Sequence, residues 1–276
     1  MLFGKKTCSK CGSEYDVVDA TCPACKCADE DFETRGIPKN IFWVATWKQL
    51  VFFAIGLIGL NAISLISELF FGSMSETNPI LYITLVNLVR YGLCAVAIGL
   101  VLIHDYHKFP VHLKNWKPWV IGIGFAAALV GATMVYNIIV NSFYPTTVNE
   151  NQSIVNDVIG SYPILSIFLL GILGPLVEEF TYRVGLYSFF RRINKYAAYA
   201  LTIVIFALIH FNFLAKGDDM INELLNLPAY MISGFLLTLA YEKFGIACAV
   251  TAHIGNNLYS VIMTIIMNLI KQYVGQ

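Results

Sequence analysis

After its first forty residues the chain alternates seven long apolar stretches with short polar connections, and this alternation restricts the fold more than any other feature. The stretches cover residues 41–71, 79–103, 118–140, 164–190, 196–213, 224–241 and 245–270. Each is long enough to cross about 30 Å of hydrocarbon as a helix. The first and fourth exceed a simple span, so tilt, an interfacial turn or a broken helix is expected there, and an eighth span could be hidden in one of the seven. The expected fold is all-α: a polytopic transmembrane helical bundle of about seven to eight spans behind a small N-terminal head.

Composition agrees. Hydrophobic residues make up 57% of the 276 and charged residues 13%, about half the charged share of a soluble domain. Seven of the 18 acidic and six of the 18 basic residues precede Asn40, so the chain divides into a polar head and an apolar body. Three units are expected: a head over 1–36, N-terminal transmembrane helices over 37–153 and a C-terminal transmembrane core over 154–276. The formal net charge of zero points to no nucleic-acid partner. The head has no apolar run before a small-residue cleavage site, so it is expected to stay on the mature protein.

Lysine and arginine in short loops orient a membrane protein. The head carries Lys5, Lys6, Lys10, Lys26, Arg35 and Lys39; later connections carry Lys108, Lys114 and Lys117, then Arg191, Arg192 and Lys195, then Lys243. The intervening connections have almost none, with only Lys216 between 215 and 223. The head is therefore expected in the cytosol, and with seven spans the C-terminus at Gln276 would lie outside.

Cys8-x-x-Cys11 and Cys22-x-x-Cys25 form two knuckles ten residues apart. Four thiolates so spaced can close a tetrahedral zinc shell, and Gly12 permits a tight turn after the first knuckle. So short a segment cannot bury a core of its own, so the metal would supply its folding energy. Disulfides or unused thiols are the bland alternatives, and a reducing cytosol disfavours disulfides. The pattern resembles the small zinc ribbons at the ends of many bacterial membrane proteins, which implies a bacterial cell. Cys27 reads as a spare that could substitute for Cys25; Cys94 and Cys248 read as apolar fillers within spans. The ribbon is structural or a docking module, with no partner indicated.

Ionisable groups inside spans are costly and usually face a cavity or a partner. The fourth stretch contains Gly174-Pro175-Leu176-Val177-Glu178-Glu179-Phe180-Thr181-Tyr182-Arg183. Pro175 has no N–H, so the carbonyl of Gly171 should lose its helical donor and the helix should kink. Glu179 and Arg183 can pair as i,i+4 neighbours, which leaves Glu178, about 100° around the helix, for another task. The fifth stretch supplies His210, and the seventh supplies His253 and Asn257 on one helical face. Measured from the cytosolic ends at 1.5 Å per residue, Glu178 lies about 18 Å deep, His210 about 21 Å, His253 about 12 Å and Asn257 about 18 Å. Alone, either histidine could be an interhelical hydrogen-bond partner, Asn257 interhelical glue and the acids an ion-pair cluster. Four such groups in one band point to a shared site. Arg90, Glu68, Asn61 and Asn87 are lesser polar groups, with Arg90 read as structural or snorkelling.

Glu178-Glu179-x-x-x-Arg183, Phe206-x-x-x-His210 and His253-x-x-x-Asn257 together resemble the three-motif signature of the CPBP family, which includes type II CAAX prenyl endopeptidases, bacteriocin-processing or immunity proteins and Abi-type proteins. The resemblance covers roughly residues 154–269. It implies a membrane-embedded endopeptidase whose cavity opens toward the cytosol. By similarity, Glu178 and His210 would activate water, His253 and Asn257 would stabilise the oxyanion, and Glu179 and Arg183 would support the first helix. The family is often labelled a metalloprotease. The His-Glu-x-x-His helix of soluble zinc proteases is absent here, which favours Glu178 as base without zinc and leaves a catalytic metal open. The substrate would be a membrane-associated peptide or protein. A catalytically inactive scaffold or immunity protein of the same fold is the alternative, opposed by the intact motifs. A transporter is a third, opposed by the lack of an inverted repeat of broken helices.

Overall fold

The computed structural model describes residues 2–32, 36–145 and 148–274. Arg35 and Gln276, which entered the charge and topology arguments, lie outside them. The head folds around one antiparallel pair, β1 (Lys5–Thr7) and β2 (Glu14–Asp16), with Lys6 opposite Tyr15. Gly12 turns the first knuckle at φ +74°, as its position after Cys11 predicts, and Lys26 takes the same left-handed conformation, φ 59°, at the second. Only Cys8, Tyr15 and Cys22 form a buried cluster in the ribbon itself. A core of that size cannot offset chain entropy, so the ribbon depends on what its cysteines bind and on the surface beneath it.

That surface is the end of a helical bundle. Its helices are α1 (Thr46–Phe71), α2 (Pro79–Leu102), α3 (Lys117–Phe143), α4 (Glu150–Ser161), α5 (Pro163–Arg191), α6 (Lys195–Leu208), α7 (Asp218–Phe244) and α8 (Ile246–Val274). Six of them are long and apolar enough to cross a membrane; α4 and α6 are shorter. Large apolar side chains point outward along the long helices, with Leu69 84% and Ile164 85% exposed, as a lipid solvent allows.

Helix starts follow local chemistry. Pro79 and Pro163 sit in first turns, where a missing N–H costs nothing. The Asn78, Asn149 and Asn194 side chains accept from the amides of Leu81, Gln152 and Tyr196. Gly245 ends α7 at φ +87°, and a side chain there would lie 2.7 Å from the Asn40 carbonyl oxygen.

Two boundaries and the helix count differ from expectation. The first apolar stretch does not begin as helix: residues 41–44 are buried non-helical chain, and α1 starts at Thr46. The fifth stretch stops being helical at Leu208 instead of running to 213, so α6 has only 14 residues, about 21 Å of rise. His210 and Asn212 follow in a non-helical return. No eighth long apolar helix occurs among the described residues. The additional helix is α4, twelve residues that pack over one end of the bundle.

The long α1 and α5 are interrupted by π turns, at Ile55–Gly59 in α1 and at Leu169–Leu173 and Phe180–Tyr187 in α5. The two helices touch backbone to backbone. A Cβ on Gly56 would fall 2.2 Å from the Thr181 hydroxyl, and one on Gly185 3.0 Å from the Gln49 carbonyl oxygen. Small residues at such crossings are how helices gain packing where lipid removes the hydrophobic drive between them.

The ribbon docks on the end of the bundle formed by the α2–α3, α5–α6 and α7–α8 connections. Arg192, 1% exposed, is the centre of that joint. Its Nε donates to Gln49 Oε1 (2.9 Å), Nη1 to the Leu2 carbonyl (2.8 Å) and Asp16 (3.1 Å), and Nη2 to the Val44 carbonyl (2.9 Å). Lys108 donates to Asp19 (3.0 Å), and Asn40 to the Lys243 carbonyl (2.7 Å). The opposite end carries α4 and the return after α6.

Candidate active site

Glu178, His210, His253 and Asn257 come from two helices, α5 and α8, and the segment after a third, α6, and all line one cavity of about 370 Å³. The sequence placed them in one band, and the fold brings them together. His253 Nε2 lies 3.7 Å from Glu178 Oε2. A water lying across that pair would touch both. The other ring nitrogen, Nδ1, is 2.8 Å from Glu179 Oε1. With Glu179 ionised, Nδ1 carries the hydrogen and the ring is held with Nε2 toward Glu178.

Glu179 therefore does more than pair with Arg183. Its Oε1 also lies 3.0 Å from Arg183 Nη1, and both side chains are fully buried. The pair is a charge contact, not an aligned hydrogen bond, since the guanidinium nitrogens find no well-directed acceptor among the described residues. Arg183 instead lies against the Phe206 ring, 4.6 Å from its centroid. Phe206 in turn packs on both histidines, with ring centroids 5.1 Å from His210 and 6.0 Å from His253. The phenylalanine of the second motif is thus the common wall between the buried arginine and the two imidazoles.

His210 Nδ1 meets the Phe206 carbonyl at 2.8 Å, the last-turn acceptor that the end of α6 leaves free. That bond assigns hydrogen to Nδ1 and leaves Nε2 as an acceptor. The ring stacks on Tyr230 of α7 at 4.4 Å and 15°. Tyr230 donates to Asn149 Oδ1 (3.1 Å), and Asn149 Nδ2 donates to the His210 carbonyl (3.2 Å). Asn149 is also the N-cap of α4, so one buried amide fixes the roof helix, the His210 segment and the stacking tyrosine. Glu223, 3% exposed, accepts the amides of Glu150 and Asn212 and holds the same joint.

Asn257 shows the consequence of Pro175. The carbonyl that Pro175 leaves without a helical donor is not that of Gly171, because the helix widens into the π turn Leu169–Leu173, in which the Gly174 amide reaches back to Leu169. In that register the next donor, for Leu170, would be Pro175, which has no N–H. Asn257 Nδ2 supplies it, 3.1 Å from the Leu170 carbonyl. Asn257 is glue between α8 and α5 as well as a cavity residue.

Arg90, Tyr91 and Tyr230 line the cavity too and were not singled out as functional from the sequence. Tyr91 OH lies 3.4 Å from Glu178 Oε1, and the Arg90 guanidinium stacks 4.9 Å from the Tyr91 centroid. Arg90 in the middle of an apolar span was the one available signal. Aromatic residues in spans carry none, because most of them pack against lipid or core.

In the ribbon, Cys8, Cys11, Cys22 and Cys25 place their sulfurs within 4.8 Å of one another. The Cys8–Cys25 and Cys11–Cys22 separations of 3.6 and 3.7 Å match the edge of about 3.8 Å implied by four Zn–S bonds near 2.3 Å. Hydrogen bonding from Ser13 lowers the Cys11 thiol to about 6, toward the thiolate that binds metal. Cys27 stands apart and contacts the Cys25 carbonyl. Among the described residues the four cysteines form the one gathered set of three or more metal donors; Glu178, His210 and His253 do not gather in that way.

A type II CAAX prenyl endopeptidase Rce1-like family model matches residues 160–259. The UPF0177 protein YxdF of Lactococcus lactis is 29% identical over 136 residues, which cover 48% of this chain and 69% of that protein. No solved structure matches the chain. All four cavity residues fall inside the matched segment, over which the chain is similar to the Rce1-like type II CAAX prenyl endopeptidases.

Proposed function

We propose that the cavity hydrolyses a peptide bond of a membrane-associated peptide or protein, with Glu178 as the base. The observation that carries this is the contact between Glu178 and a His253 ring that is oriented from behind by a buried carboxylate. A purely structural ion-pair cluster has no need to aim a second imidazole nitrogen into a cavity. A water between Glu178 and His210 Nε2 gives its proton to Glu178 as its oxygen bonds to the scissile carbonyl carbon. The resulting oxyanion accepts from His253 Nε2–H, the ring carrying hydrogen on both nitrogens between Glu178 and Glu179 from the outset and neither gaining nor losing a proton, and from the free amide hydrogen of Asn257. Collapse breaks the C–N bond as Glu178 returns the proton to the leaving amine. No step passes through a metal, and the ribbon, whose proposed ligand is zinc, supplies no reacting group.

The test is Glu178→Gln in purified protein, which keeps the shape and loses the base. Turnover should fall by about 10²-fold or more while the thermal midpoint and peptide binding stay near wild type. A folded Glu178→Gln protein with wild-type turnover would remove the proposal and leave a scaffold.

A further inference from the structure

Two sequence expectations exclude each other in this fold. The ribbon was placed in the cytosol by its basic loops, and the cavity was placed open to the cytosol by resemblance. The structure separates them along the bundle, with the ribbon on one end and the cavity extending from mid-helix toward α4. Each long helix that lines the cavity begins to do so only some way along from its ribbon-proximal end. In α2 the lining runs from Ile83 to Tyr91, whereas the helix reaches the ribbon side at Leu102. In α5 it stops at Glu178, 13 residues before Arg191, and in α8 it begins at His253, seven residues after Ile246. At 1.5 Å per residue, about 10–20 Å of helix separates the site from the ribbon face.

That layer is closed. Phe180, Tyr182, Arg183, Tyr187 and Ala249 fill it and are all buried. On the other side the cavity is bounded by α4, whose Asn151 is exposed and Gln152 half-buried while both line the cavity. The cavity is therefore reached past α4. The charge distribution decides which compartment that is. Connections on the ribbon face carry seven lysines and arginines (Lys108, Lys114, Lys117, Arg191, Arg192, Lys195, Lys243), against Lys216 and Lys271 on the α4 side. Basic loops stay in the cytosol.

Resting on the protease reading, we propose that the site is entered from the exterior, and that its substrates are peptides already exported or carried on the outer leaflet, not proteins presented by the cytosol. The test places a thiol at the mouth with Asn151→Cys and, in a second variant, Asp157→Cys, which lies on the same exposed helix. Intact cells are treated with a membrane-impermeant maleimide. Both variants should label as fully in intact cells as in opened ones, and wild type, whose thiols lie in the ribbon or within buried spans, should not label until cells are opened. Labelling of the variants only after opening would overturn the inference. A second arm adds an acylated fluorophore–quencher peptide to right-side-out vesicles, to inverted vesicles and to detergent-solubilised protein, each beside Glu178→Gln. Cleavage in right-side-out but not inverted vesicles supports exterior entry, and the reverse overturns it. No cleavage even in detergent would count against proteolysis itself, while the labelling still decides from which side the cavity is reached.

Discussion

His253 Nδ1 lies 2.8 Å from Glu179 Oε1, the same oxygen that Arg183 approaches at 3.0 Å. The second acid of the first motif thus holds the histidine of the third, and one buried carboxylate serves both packing and orientation. Glu179→Gln keeps the volume but loses the charge that fixes the imidazole and neutralises Arg183. Both effects are expected: a loss of stability of about 3 kcal/mol or more from the unpaired buried arginine, and slower turnover in whatever fraction folds. Measuring kcat per folded molecule, with folded protein counted by size-exclusion chromatography, separates the two. Unchanged kcat in the folded fraction would show that Glu179 only supports the helix.

The four ribbon sulfurs sit at the spacing of a tetrahedral metal shell. Purified protein should contain about one zinc per chain, and the double variant Cys8→Ser, Cys11→Ser should lose it. Peptidase activity should persist at least in part, because no ribbon residue lines the cavity. Zinc content by mass spectrometry decides the matter; full zinc in the double variant would refute the ribbon site.

Arg192 joins the ribbon to the bundle through acceptors on Leu2, Asp16, Val44 and Gln49. Lysine cannot reproduce that fork of donors. Arg192→Lys should release the ribbon, seen as faster proteolysis between residues 36 and 46 and a thermal midpoint lowered by several degrees. A ribbon that stays protease-resistant in this variant would show that the remaining contacts suffice.

His112, in the short helix Phe109–Leu113, packs edge-on against Phe42 at 5.1 Å. Burial, aided by Lys108, pushes its imidazole from 6.5 down to about 4. Above pH 6.5 the ring is neutral whether folded or not and costs nothing. Between pH 6.5 and 4 the unfolded chain binds a proton that the folded one refuses, so stability falls as pH drops through that window and levels off below it. Asp19 nearby, its carboxyl raised by burial, slopes the other way. Comparing the thermal midpoint against pH for wild type and His112→Gln isolates the histidine: the variant should be flatter between pH 4 and 6.5. Parallel curves would contradict the assignment.

The sequence by itself determined the membrane-spanning bundle, the cysteine cluster and the four polar groups that meet in the cavity. These follow from local quantities: run length against bilayer thickness, the two-knuckle spacing, and the rise and turn of a helix that put Glu178, His253 and Asn257 at comparable depth. Tertiary structure decided the rest. That Asn257 satisfies the Leu170 carbonyl depends on the π register of α5, which changes by one residue which carbonyl Pro175 deprives of a donor. That Glu179 orients His253, that Tyr230 stacks on His210 and that Asn149 ties both to the roof depend on contacts between residues 20 to 81 positions apart, which no local pattern encodes. The basic residues show the division most plainly. Their distribution among loops carries a topology signal whatever each one touches, but only the folded chain makes Arg192 a buried joint, because its five donors need acceptors from four segments held in one place.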